Sequence, residues 1–135
     1  KDLLNKSENN QEEAINDMIN SSLPSSIKLN GANLTGLNLS NLVSVIMGNT
    51  PNGVLHKDLL ACNNFLLEDE KIQSIKLQFT IIAGEKDIMT PIRGSESLLK
   101  LLPNVSLTSL KNIGHFHTLE NPRGINKIIE KSLEI

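Results

Sequence analysis

Aromatic residues are almost missing from this chain: 135 residues hold three Phe, no Tyr and no Trp. That poverty argues against functions built on stacking platforms, such as the binding of single-stranded nucleic acid. Cysteine is nearly missing too, since Cys62 stands alone. A lone cysteine excludes an internal disulfide and any multi-cysteine metal cluster, and it suits a reducing, cytoplasmic setting. No apolar run approaches the ~20 residues that span a bilayer, and no signal-peptide pattern opens the sequence. Charge of one sign is also lacking. Thirteen Lys and Arg against fifteen Asp and Glu leave a formal charge of -2, so no global field draws the protein to phosphate or to anionic lipid. These features predict neither a nucleic-acid nor a membrane partner.

What is present is an ordinary globular composition, with 39% hydrophobic and 21% charged residues. That is enough for one domain with a real core. Asn is abundant, and Asn-x-Ser/Thr triplets begin at Asn5, Asn20, Asn33, Asn38 and Asn104. A composition this rich in Asn, Ser and Thr generates such triplets by chance, and without a secretion signal they do not argue for glycosylation.

The chain changes character near residue 70. Before it, Asn10 and Glu13 form a capping-box pattern ahead of Ala14, Ile15, Met18 and Ile19, which predicts a helix over about 11–21. A second helical stripe runs over 54–67 through Val54, Leu55, Leu59, Ala61, Cys62, Phe65 and Leu66, with Cys62 expected in the core. Between them, Leu34 to Met47 is apolar enough for a helix. Residues 31–40 carry a five-residue rhythm, but about two units are too few to stack as a solenoid.

After residue 70 the pattern becomes strand–helix–strand–helix. Leu77 to Ala83 is β-rich and closes on Gly84, so it predicts a buried strand. Thr90 and Pro91 look like an N-cap with Pro at the first helical position, and Ile92, Leu98, Leu99 and Leu102 supply the inner face of that helix. Pro103 and Asn104 end it, and Val105 to Leu110 forms the second strand. Asn121-Pro122 repeats the helix start, and Ile125, Ile128, Ile129 and Leu133 stripe the closing helix. This alternation predicts an α/β fold with parallel strands.

Adjacent parallel strands open their carboxyl ends into one crevice. The loop after the first strand holds Asp87, and the loop after the second holds His115, 28 positions later. A carboxylate bonded to one imidazole nitrogen sets the tautomer and leaves the other nitrogen to move a proton. Asp87 and His115 are therefore a candidate acid–base pair that awaits a nucleophile. Glu85 is a rival acid, expected to face solvent or shape the turn. His117 makes a His-x-His pair, but the third histidine, His56, is far off in sequence and no His-Glu-x-x-His occurs. A metal site is not expected, and His117 is expected on a pocket wall or on the surface. Glu120 is expected to serve the N-terminus of the final helix. Met89 and Phe116 flank the pair, where pocket lining and simple packing are equally good accounts.

The segments Ile81-Ile82-Ala83-Gly84-Glu85-Lys86-Asp87, Thr90-Pro91, Leu102-Pro103-Asn104, Gly114-His115 and Leu119-Glu120-Asn121-Pro122, in that order, resemble the closing section of the α/β-hydrolase family. The resemblance covers residues 72–135. It implies that Asp87 is the triad acid and His115 the general base, with no cofactor and a small-molecule substrate. It also implies that residues 1–70 form a helical cap ahead of residues 71–135, the C-terminal part of the hydrolase core. The chemistries implied are hydrolysis of ester, lactone, amide or related bonds; haloalkane dehalogenation and carbon–carbon bond hydrolysis share the scaffold. The sequence departs from the family in one large respect: it contains no Gly-x-Ser-x-Gly nucleophile elbow. The chain therefore reads as a C-terminal fragment, or one chain of a split enzyme, inactive alone. Its expected partner is the missing N-terminal half or another copy of itself. A non-catalytic binding or receptor protein on the same scaffold is the alternative, distinguished by what stands at the elbow position.

Overall fold

Asn10 begins a helix, as its cap chemistry predicts. In the computed structural model, which describes residues 2–30, 36–66 and 68–133, its side-chain oxygen accepts the N–H of Glu13 at 3.2 Å. Glu13 reaches back to the Asn10 amide rather than to its peptide N–H. The helix so started, Gln11–Ser22 (α2), follows a shorter one at Asp2–Asn9 (α1) that the sequence did not predict. Then come Ser25–Asn30 (α3), Leu39–Gly48 (α4), Val54–Asn64 (α5) and Asp69–Gln73 (α6). Asn38 caps α4 by accepting the N–H of Asn41 at 3.0 Å. The expected helix over 34–47 thus begins at Leu39; residues 34 and 35, and half of the five-residue rhythm at 31–40, lie outside the described residues.

These helices build the main apolar core. Ala14, Ile15, Ile19 and Leu23 pack with Ile27, Leu39, Val43 and Leu55. The stripe on α5 is longer than the surface it meets. Leu55 is buried and Leu59 half-buried, but the last turn runs past its neighbours, leaving Cys62 exposed rather than in the core. Phe65 and, at 91% exposure, Leu66 lie beyond the end of that helix.

The second half holds Phe79–Gly84 (β1), a 3-10 turn at Ile92–Gly94, Ser95–Leu101 (α7), Val105–Leu110 (β2), His117–Glu120 (α8) and Pro122–Ser132 (α9). Among the described residues the sheet is two-stranded and parallel, in register from Phe79 opposite Val105 to Gly84 opposite Leu110. A helical crossover between the strands is what parallel pairing requires. The first strand starts two residues later than expected, with Leu77 exposed ahead of it. Thr90 does not cap the following helix. Pro91 precedes the 3-10 turn, and α7 begins only at Ser95; the Thr90 side chain makes its bonds to the acid described below. At the closing helix the expected cap holds: Asn121 accepts the N–H of Gly124 at 3.0 Å, with Pro122 following it. Of its predicted stripe, Ile125 is buried, whereas Ile129 and Leu133 are exposed.

Two contacts tie the halves together. Phe116 and Leu119, from the segment after β2, pack against the helical core, which decides the role of Phe116 in favour of packing. The backbone of the same segment is held by the end of α2, as the site geometry shows.

Candidate active site

The end of β1 and the loop after β2 approach as closely as peptide groups allow. Lys86 gives its N–H to the carbonyl of Ile113 at 2.8 Å, and Glu85 gives its own to Leu110 at 3.0 Å. A Cβ on Gly84 would collide with the carbonyl oxygens of Gly114 and Ile113, so glycine is required there for close approach. The loop after β2 makes its reversal through Asn112, at φ +59°, a left-handed conformation that Asn tolerates better than most residues.

This approach delivers the two predicted residues to each other. Nδ1 of His115 lies 3.0 Å from Oδ2 of Asp87. The Asp87 side chain is 3% exposed and that of His115 34% exposed, so a buried carboxylate orients an imidazole that still meets solvent. Thr90 completes the setting. Its N–H donates to Oδ1 of Asp87 at 2.8 Å, and its hydroxyl donates to Oδ2 at 2.7 Å. The hydroxyl also stands 3.3 Å from Nδ1 of His115. At a helix start the Thr90 hydroxyl would accept a peptide N–H; here it donates to a carboxylate instead, and charge-assisted bonds of that kind are short. Thr90 thus serves the acid rather than the helix.

Burial pushes the Asp87 carboxyl up, but the Thr90 N–H, His115 and the Thr90 hydroxyl together outweigh it and hold the group below the ordinary carboxylate value. Asp87 is therefore ionised at neutral pH. With Nδ1 committed to Asp87, Nε2 makes no hydrogen bond among the described residues and is the nitrogen left to exchange a proton.

Glu85 is exposed and takes no part in this pair. His117 is half-buried on the wall of a hollow of about 350 Å³ that also includes Ile82, Asp87, Thr90 and Ser95. Asp87 borders a second hollow of about 460 Å³ with Asn20, Leu23, Pro24, Lys28 and Lys86. The α2–α3 turn thus borders the same hollow as the loop that carries Asp87. Among the described residues no three His, Cys, Asp or Glu side chains converge to hold a metal ion. His56 lies elsewhere, 3.0 Å from the Ser7 hydroxyl and bonded to neither other histidine.

Glu120 departs from its sequence expectation. Instead of serving the final helix it is fully buried, and Oε2 accepts the N–H of Gly114 at 2.8 Å. Burial raises its pKa, with the N–H groups of Gly114 and Phe116 pulling the other way. Thr90 and Glu120 are the site residues whose roles sequence reasoning missed. The signal for each was its spacing from the pair, three residues after Asp87 and five after His115.

No protein-family model and no curated protein sequence matches the chain. Solved structures do. A thermophilic esterase superposes with a TM-score of 0.73 at 26% identity, over 98% of this chain and 49% of that one. An esterase from Exiguobacterium antarcticum reaches a TM-score of 0.80 at 12% identity, over 98% and 46%. Est816, described as an N-acyl homoserine lactone degrading enzyme, gives 0.74 at 18% identity, over 93% and 49%. Among the described residues no helix is long and apolar enough to cross a membrane. The chain thus has a partial α/β-hydrolase fold, and it spans about half the length of the solved proteins it matches.

Proposed function

We propose that this chain supplies the acid, Asp87, and the base, His115, of a nucleophile–His–acid triad in a hydrolase of ester, lactone, amide or related bonds. The observation that carries it is the 3.0 Å bond between a buried, ionised carboxylate and Nδ1 of a partly exposed imidazole. In the reaction so proposed, Nε2 takes the proton of the attacking hydroxyl as the acyl bond forms, then passes it to the leaving group. A water molecule reverses the sequence to release the acid. Asp87 stays ionised throughout and stabilises the imidazolium.

The nucleophile is assigned to polypeptide outside these 135 residues, because the sequence holds no Gly-x-Ser-x-Gly and the matched solved proteins are about twice as long. The partner is accordingly the part of the hydrolase that carries the elbow. The exposed apolar residues Leu77, Ile129 and Leu133 support such a partner, as does a parallel sheet with only two strands among the described residues. Residues 1–70 are assigned as a cap over the pocket. Their turn at Ser22 and Pro24 abuts the His115 loop, which is where a roof over the base would sit.

A covalent serine-hydrolase probe tests the assignment on the complete parent protein and on this chain alone. Labelling of the parent that is lost on His115→Ala and absent from this chain is expected. A folded parent that takes no label, or label retained by the His115→Ala parent, would refute it.

A further inference from the structure

We propose that Glu120 is a positioning residue for His115: its buried carboxylate grips the peptide immediately before the histidine and so sets where the imidazole meets Asp87. Burying a carboxylate costs several kcal/mol unless hydrogen bonds replace its water. A side chain with 0% exposure, one residue before a helix that Asn121 already caps, needs another reason to be there. Its bond at 2.8 Å is to the N–H of Gly114, and the N–H of Phe116 also bears on it. These are the two peptides that flank His115. The peptide N–H of His115 itself goes the other way, to the carbonyl of Ser22 at 2.8 Å.

Three consecutive peptides are thus held from two sides, by a carboxylate on α8 and by the end of α2. Gly114 has no room to shift. A Cβ there would strike the Ser22 carbonyl, would lie 2.7 Å from Cδ of Pro24 and would stand 3.1 Å from Oε1 of Glu120. The His115 side chain is one-third exposed; among the described residues its hydrogen bonds are at Nδ1, and its ring meets that of Phe116 edge-on with centroids 5.6 Å apart. Both rings are carried by the same short backbone segment, and Glu120 is a side chain that holds that segment.

The inference rests on the proposed function only in taking the Asp87–His115 pair as working machinery, and its test separates the two. NMR on the complete parent protein reads the low-field signal of the His115 Nδ1 proton, which the bond to Asp87 shelters from exchange. In Asp87→Asn the signal should shift sharply or vanish. In Glu120→Met, which keeps side-chain length without an acceptor, it should broaden or be lost. In Glu120→Gln, whose amide oxygen still accepts from Gly114, it should persist. A signal unchanged in Glu120→Met but lost in Asp87→Asn overturns the positioning role and leaves the pair intact. A signal unchanged in Asp87→Asn removes the pair, and the inference with it. Should the Met variant not fold, coupling across the Gly114 N–H to Glu120 carboxylate bond in the unaltered parent decides, and its absence overturns the proposal.

Discussion

Replacing Thr90 by Val probes the acid while leaving the Asp87–His115 bond in place. The two side chains have nearly the same shape, so the change removes one hydroxyl and keeps the Thr90 N–H bond to Oδ1 of Asp87. What is lost is the 2.7 Å bond to Oδ2, together with the longer 3.3 Å approach to Nδ1 of His115. A hydrogen bond to a charged group contributes ~1.5–3 kcal/mol. Because the His115 bond and the Thr90 N–H remain, the carboxylate is not orphaned, and the lower end of that range, ~1.5 kcal/mol, is expected. For a domain of this size that is a fall of ~5 °C in Tm. The pH dependence makes the test specific. The folded Asp87 carboxyl lies below its ordinary value of 3.8, so its contribution to stability is present above that pH and is lost as pH falls through the folded value. The Tm gap between Thr90→Val and the unaltered chain should therefore be full at pH 7 and shrink steadily below about pH 4. Thr90→Ser, which restores the hydroxyl, should close most of the gap at pH 7. Thermal unfolding followed by circular dichroism reads all three. A gap equal at pH 7 and pH 3 would show that Thr90 acts by packing and not through the ionised acid, and no gap at all would refute the bond's contribution.

Two further outcomes test the frame around the site. Gly84→Ala places a methyl group against the carbonyls of Gly114 and Ile113, a backbone clash expected to cost ~1–3 kcal/mol; Gly94→Ala, with open space around it, should stay within ~1 kcal/mol of the unaltered chain, and denaturant midpoints compare them. Leu39→Ala empties a position with 1% exposure in the helical core and should lower stability by ~2–5 kcal/mol; a loss well under 1 kcal/mol, measured in the same titrations, would mean that these helices do not share a packed core.

Local chemistry made much of this molecule legible. Asn10 and Asn121 cap the helices they were expected to cap, because an Asx side chain reaches its own backbone three residues on whatever lies around it. The strands at 79–84 and 105–110 follow from β-branched runs, and the meeting of Asp87 with His115 follows from the rule that neighbouring parallel strands open to one edge. Cys62 and Leu66, both placed on the apolar stripe of the helix over 54–67, were misjudged for the converse reason. A helical stripe states which residues share a face, but not how far the neighbouring surface extends to cover them.

The sequence by itself determined the strand–helix–strand–helix order of the second half, the caps at Asn10 and Asn121, and the meeting of Asp87 with His115, since each depends on residues near in the chain or on a topological rule. Only the tertiary structure decided that Thr90 would desert its helix for Asp87, and that Gly84 and Gly114 must lack side chains. It alone decided that Glu120 would turn away from the helix beside it to hold the peptide before His115. Each of these depends on which group arrives within about 3 Å from a distant part of the chain, a distance at which hydrogen bonds and steric exclusion become decisive and which no local pattern encodes.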